Sequence, residues 1–292
     1  MIRKILKWTG LVLLAMVVLL AGYYVFIKIN IDNRSNKIYA FKKEHLEIKA
    51  DSAVLARGKH LTLIKGCTDC HGADLGGKIM NDDGAIGKLV ASNLTKGVGG
   101  LPENYTLSDW IIALRHGVDK SGRPLLFMPS QESALLSEQD LSALIAYCES
   151  VQPVNRKLPA NKLGPIAYVM SYYDKFPLLS VEKIDHGKPM IAKADSSEGI
   201  AQGKYLAVSC SGCHGPDFKG GDPLAPGLPP VPDITSTGNL GKWTQKEFIA
   251  TLRTGKTPSG HQMSNENMPW QMTAKYEQKE LASLYQFLSS VH

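Results

Sequence analysis

The 292 residues include only five cysteines, too few for a disulfide-stapled scaffold, which packs more cysteines into a shorter chain. Basic surface is also scarce. The formal charge is +6, but Arg3, Lys4, Lys7 and Lys28 stand in a stretch without acids, and the remainder carries only +2. No basic stripe or nucleic-acid motif is present, so no nucleic-acid partner is expected. Convincing period-two strand runs are missing, which directs the reading towards helices. There is no nucleophile–base pair, flavin fingerprint or quinone-cofactor domain, and substrate turnover by this chain alone is not expected. One long uncharged run exists, from Trp8 to Ile27.

That run follows Arg3, Lys4 and Lys7 and is closed by Lys28. At ~1.5 Å per residue it is roughly 30 Å long, the thickness of one hydrocarbon core. The cationic flank is expected to stay in the cytoplasm and everything after Lys28 to cross, making this a single-pass membrane protein with its remaining residues outside the cytoplasm. Trp8, Tyr23 and Tyr24 stand near the ends of the run, where amphipathic rings prefer the interface. A cleaved signal peptide is the competing reading. The run is long for one, and no small-x-small site precedes the Tyr23–Phe26 aromatics.

Four of the five cysteines fall in two pentapeptides, Cys67-Thr68-Asp69-Cys70-His71 and Cys210-Ser211-Gly212-Cys213-His214. Cys-x-x-Cys-His is the attachment pattern of c-type haem: each thiol forms a thioether to a porphyrin vinyl group, and the adjacent histidine supplies a nitrogen to iron. Two covalently bound haem c groups are therefore expected on Cys67, Cys70, Cys210 and Cys213, with His71 and His214 as proximal ligands. Zinc or a redox dithiol pair are the alternatives; zinc would need a further Cys or His pair nearby. Cys148 lies in an apolar helical pattern and reads as a small buried side chain.

The motifs belong to a longer repeat. Arg57-Gly58-Lys59-His60-Leu61 matches Gln202-Gly203-Lys204-Tyr205-Leu206, and Asn93-Leu94-Thr95 matches Asp233-Ile234-Thr235. Leu114-Arg115-His116-Gly117 matches Leu252-Arg253-Thr254-Gly255, and Met128-Pro129 matches Met268-Pro269. Thr106-x-x-Asp109 and Thr244-x-x-Glu247 are placed as capping boxes for helices ending at Gly117 and Gly255. Both copies close on helical runs, Asp140 to Val151 and Glu280 to Val291. The expected organisation is an anchor over 1–28, a connecting segment over 29–52, one domain over 53–151, a linker over 152–197 and a second domain over 198–292. Pro153, Pro159, Pro165, Pro177 and Pro189 preclude a long helix in the linker. Its apolar patch Ile166–Phe176 is expected to pack as a strap between or across the two domains, not to span the membrane.

This pattern of haem motif, Asn-(Leu/Ile)-Thr, Leu-Arg-x-Gly, Met-Pro and closing helix resembles class I cytochrome c domains. More narrowly, it is similar to the cytochrome subunits of bacterial membrane-bound alcohol, gluconate and fructose dehydrogenases. Those subunits usually carry three haem domains and a C-terminal anchor, whereas two motifs and an N-terminal run are present here. The resemblance implies an all-α fold of tandem class I cytochrome c domains joined by the proline-containing linker, with one N-terminal transmembrane helix. It also implies sixth iron ligands at Met128 and Met268. Met263 and Met272 are rivals in the second copy, and Met80 in the first. His116 and His261 are expected at the surface or in loops, and His60 in a structural role. Arg115 and Arg253 are candidates for pairing with haem propionates, and Trp110 and Trp243 for packing near the haem edges.

The implied function is single-electron transfer on the periplasmic side, between a quinol-linked complex or dehydrogenase and a terminal oxidase or soluble carrier. A dihaem subunit of a haem–copper oxidase is an alternative. A dihaem peroxidase is a weaker one, because two methionine ligands would leave no open iron position.

Overall fold

A computed structural model describes residues 1–42, 44–223 and 227–292. The apolar run forms α1 (Ile2–Ser35), which continues beyond Lys28 because neither Gly nor Pro follows Gly22 and Lys28 pairs with Asp32 one turn on. Among the described residues it is the one helix long and apolar enough to cross a membrane. Most of its side chains are exposed, but Ile27 and Ile31 are buried against the rest of the protein.

Each copy of the repeat folds as helices around one apolar cluster. The first comprises α2 (Ser52–Ile64), α3 (Cys67–His71), α4 (Leu107–Ile111), α5 (Ser130–Ser133) and α6 (Glu138–Ser150). After the linker helix α7 (Pro165–Tyr172), the second comprises α8 (Ile200–Leu206), α9 (Val208–His214), α10 (Gln245–Thr254), α11 (Trp270–Thr273) and α12 (Gln278–Leu288). Both capping boxes form, with Asp109 and Glu247 returning a bond to the Thr106 and Thr244 backbone. Gly117 and Gly255 end their helices in the left-handed conformation, at φ 69° and 72°. In the first copy the last turn, Ile112–His116, widens to a π-turn.

The first and last helices of each copy cross at a glycine. A Cβ on Gly58 would stand 2.0 Å from the Ala143 carbonyl oxygen, and one on Gly203 would stand 2.0 Å from that of Ser283. The missing side chains let α2 seat on α6 and α8 on α12. Cys148 is buried on α6, as its pattern implied.

The fold is mostly helical, with one addition that the sequence did not announce. Strands β1 (Lys78–Asp83) and β2 (Gly87–Ala91) form a hairpin after the first motif, and β3 (Lys162–Leu163) pairs with β2 from the linker. β1 is almost wholly exposed, so burial imposes no alternation on it. The hairpin depends on its turn instead, where the Asp83 carboxylate accepts from the Ala85 and Ile86 N–H groups.

The end of the linker, Lys193–Ser196, lines a cleft with His60 and Asp140 of the first copy and Tyr205 and Glu280 of the second. Before that it wraps the first copy and meets α1. Val154 and Arg156 cover the loops at Gly76 and Gly97, and Arg156 pairs with Asp74 at 2.8 Å. Ser180 Oγ donates to the Met128 carbonyl. The Ile191 and Ala192 carbonyls cap α6 at the Glu138 and Gln139 N–H groups.

His116 also departs from expectation, since it is 3% exposed rather than superficial. Its Nδ1–H donates to His186 Nδ1 at 2.9 Å, because His186 Nε2 donates to the Val181 carbonyl. Phe41 stacks on the His116 ring at 4.1 Å. Burial pushes His116 down to about 4, overriding the nearby Glu44 carboxylate and keeping the ring neutral.

Candidate haem sites

Both pentapeptides are helical, on α3 and at the end of α9. Helical spacing puts the two thiols of each motif, three residues apart, on one face, with the histidine one turn beyond the first thiol. All four thiols are free of disulfides. Burial pushes Cys67 and Cys210 up to about 12, so both are held protonated at neutral pH.

His71 and His214 are 7% and 6% exposed. Each donates from Nδ1 to a backbone carbonyl, His71 to Ser92 at 2.7 Å and His214 to Pro232 at 2.9 Å. Burial lowers both imidazoles despite these bonds, which keeps them neutral. A proton on Nδ1 leaves the Nε2 lone pair free, the tautomer that a ligating histidine requires.

The carbonyls are aimed by the next residues along the chain. Asn93 Oδ1 accepts from the Thr95 N–H and hydroxyl at 2.9 and 2.8 Å, and Asp233 Oδ1 does the same from Thr235 at 2.7 Å each. The repeated Asn-Leu-Thr and Asp-Ile-Thr sequences are thus side-chain-locked turns whose preceding residue holds the histidine. Ser92 and Pro232 are backbone positions of the candidate sites that the sequence reading passed over. Their signal was present as the residue just before the matched tripeptides.

Met128 and Met268 are partly buried against the apolar cluster that also takes Cys67 and Cys210. Each is followed by Pro and a short helix whose first N–H returns to the methionine carbonyl, Ser130 to Met128 at 2.8 Å and Trp270 to Met268 at 2.7 Å. The rivals are placed otherwise. Met80 is on the exposed strand β1, and the Met263 N–H closes a loop on the Gly255 carbonyl. Met272 faces the other copy, its sulfur lying 3.2 Å from where a Gly66 Cβ would stand.

The accessory candidates divide. Arg115 is committed to Glu44, through Nε and Nη2 at 2.8 and 2.9 Å, and to the Ala134 and Lys188 carbonyls. This network ties the connecting segment and linker to the first copy. Arg253 Nη1 donates to the Ala274 carbonyl. Trp110 is buried in the core, and Trp243 packs partly buried against it.

The two copies are clasped reciprocally. His60 on α2 donates to Glu280 on α12 at 2.8 Å, while Tyr205 on α8 donates to Asp140 on α6 at 2.9 Å. His60 and Tyr205 are matched positions of the repeat, and both carboxylates occupy the third position of a closing helix. Arg57 spans the pair, bonding Asp140 at 2.8 and 2.9 Å and Glu280 at 3.3 Å. The structural role expected for His60 is this one. Tyr276 adds a bond from its hydroxyl to the Ile64 carbonyl at 3.2 Å.

Around the clasp, α5 packs on α9, which carries the second copy's haem motif, and α11 packs on α2, the helix that leads into the first copy's motif. Glu132 of α5 reaches to 2.9 Å from where a Gly212 Cβ would stand. Burial pushes its carboxyl up to about 7 against the pull of Lys65.

These residues fit covalently held haem: paired thiols on one helical face, a neutral histidine with free Nε2 and a soft thioether are its donor set. The buried Trp270 Nε1–H, two residues past Met268, has no hydrogen-bond partner among the described residues. A haem carboxylate is the kind of acceptor it lacks. Neither motif lies in a cluster that could hold a bare metal ion, since no group of three or more His, Cys, Asp or Glu side chains is so arranged among the described residues.

The cytochrome c family model matches this chain twice, over residues 55–152 and 200–292. The chain belongs to the cytochrome c family. Its domains are of the type that binds haem c covalently and transfers electrons. Among curated proteins it is similar to the cytochrome c subunit of a quinone-dependent alcohol dehydrogenase from Gluconobacter oxydans, 27% identical over 71% of this chain and 48% of the relative. The fructose dehydrogenase cytochrome subunit of Gluconobacter japonicus is 27% identical over 70% and 45%. The gluconate 2-dehydrogenase cytochrome c subunit of Pantoea cypripedii is 27% identical over 71% and 52%. The chain thus spans about half the length of these relatives.

Proposed function

We propose that this chain is a membrane-anchored dihaem cytochrome c that passes single electrons on the periplasmic side of a bacterial inner membrane. The observation that carries the reading is the duplicated site: in each family-matching copy, a Cys-x-x-Cys-His helix with its histidine locked in the Nε2-ligating tautomer. When bound, haem c supplies a one-electron iron couple. Cys67, Cys70, Cys210 and Cys213 would hold the porphyrins, and His71, Met128, His214 and Met268 the irons.

The donor is a dehydrogenase or quinol-linked complex, and the acceptor a terminal oxidase or soluble carrier. A dehydrogenase is favoured as donor by the three relatives, each named as a dehydrogenase cytochrome subunit. The anchor is α1, with Arg3, Lys4 and Lys7 left in the cytoplasm. The clasp supports transfer within the chain, because it holds both motifs in one packed body.

The test is a pyridine haemochrome assay with intact mass on protein purified from membranes, followed by stopped-flow reduction with a membrane dehydrogenase and its substrate. Two haems per chain and rapid reduction are expected. A mass increment of one haem or none overturns the dihaem reading. Rapid peroxide turnover that is lost on changing one ligand would instead identify a peroxidase.

A further inference from the structure

The linker helix α7 is an apolar element in an unusual place. From Leu163 to Tyr173 the chain carries no charge, with Lys162 before it and Asp174 and Lys175 after it. It packs on α1 rather than on a haem motif. Tyr168 donates to Asp32 at 2.8 Å, Tyr172 meets Phe26 edge-on at 6.0 Å, and the Tyr173 and Tyr23 hydroxyls are 2.7 Å apart. The end of α7 thus reaches both ways along α1: its Tyr172 and Tyr173 rings meet Phe26 and Tyr23, while the Asp174 carboxylate lies 4.0 Å from the Arg34 guanidinium.

Tyr23 lies four residues inside the uncharged run that ends at Ile27, about 6 Å below its upper end at 1.5 Å per residue. The chain then reverses at Asp174, where φ is 54° and the Lys175 N–H returns to the Met170 carbonyl at 2.8 Å. This tip leaves Tyr173 53% exposed, beside Phe26 at 53% and Val25 at 51% on α1. Tyr23, Phe26, Tyr172 and Tyr173 thus form one aromatic collar at the end of the apolar run. Aromatic rings with a polar edge concentrate at the membrane–water interface.

We propose that the C-terminal end of α7 and its Asp174 turn lie in the headgroup–acyl boundary of the membrane that α1 crosses, giving the first haem domain a second hold on the bilayer. The inference rests on the reading of α1 as an anchor. The occupant is lipid because Tyr173 is exposed where it meets Tyr23, itself exposed and stacked on exposed Phe26 in the run read as crossing the membrane. Lys175, exposed just past the tip, is placed where a cation meets lipid phosphate. A single helix lets the domains swivel about its axis; a second contact removes that freedom.

Single cysteines at Tyr173, Leu14 and Ser290 of the full chain in lipid nanodiscs test this, since Cys148 is buried and the haem thiols are consumed. With a sulfonated maleimide, Tyr173→Cys is expected to react about tenfold more slowly than Ser290→Cys, the effect of excluding a polar reagent by about 1.4 kcal/mol. With a membrane-partitioning pyrene maleimide it should react at least as fast as Ser290→Cys. Equal rates with the sulfonated reagent place the tip in water and overturn the proposal. Protection from both reagents shows a protein partner there and also overturns it. Free reaction of Leu14→Cys removes the anchor reading and this inference with it; protection of Leu14 alone sinks only the inference. On the unaltered chain, a photoactivatable phospholipid should label residues 172–175 as well as α1, and labelling of α1 alone contradicts the proposal.

Discussion

At the residue scale, the proposed iron ligands differ from their neighbours in repeat position and in surroundings. Met128→Ala and Met268→Ala are each expected to abolish half of the weak near-infrared methionine–iron band, whereas Met272→Ala leaves it whole; absorption of the oxidised protein checks this. If Met263→Ala removes the second half instead, the assignment in the second copy falls. The cysteines and histidines were legible because haem attachment is written in five consecutive residues. Ser92 and Pro232 were not, because a backbone carbonyl leaves no mark on residue identity. The burial of His116 was hidden for a related reason: its partners His186, Phe41 and Glu44 come from the linker and the connecting segment, far along the chain.

At the scale of elements, the glycine crossings are the least forgiving contacts. Gly58→Ala and Gly203→Ala would each push a methyl group into a carbonyl at 2.0 Å. Each is expected to cost about 1–3 kcal/mol, as overpacking does, or more where backbone must move. Urea unfolding followed by helical circular dichroism measures it. An Ala at Gly10, with nothing within 4 Å, should leave unfolding unchanged. Helices were readable from the sequence because caps and apolar spacing are local, and both Thr boxes stand where they were placed. The sheet was not, since β3 is two residues long and its pairing with β2 joins distant parts of the chain.

At the scale of the whole molecule, the clasp makes the packing of the two copies depend on acid. Burial alone would raise the Glu280 carboxyl, but the His60 hydrogen bond, the Glu277 N–H and the Arg57 charge hold it below its ordinary 4.5. Its contribution is therefore complete above that value and is lost as pH falls through the lower folded value. Glu280→Gln should cost about 1–3 kcal/mol at neutral pH, by leaving buried donors poorly matched. It should also flatten the acid limb of stability, as urea midpoints at neutral and acidic pH will show. Replacing residues 1–28 with a cleavable export signal should yield a haem-loaded protein in the soluble fraction, and continued co-sedimentation with membranes would assign anchoring elsewhere. The asymmetry of the linker sets a timetable for biosynthesis. A ribosome delivers Met128 well before Ser180, which binds its carbonyl, and before Lys162–Leu163, which completes the sheet. The first copy therefore reaches its finished form only when the segment that leads into the second has been made, whereas the second closes on its own C-terminal helix.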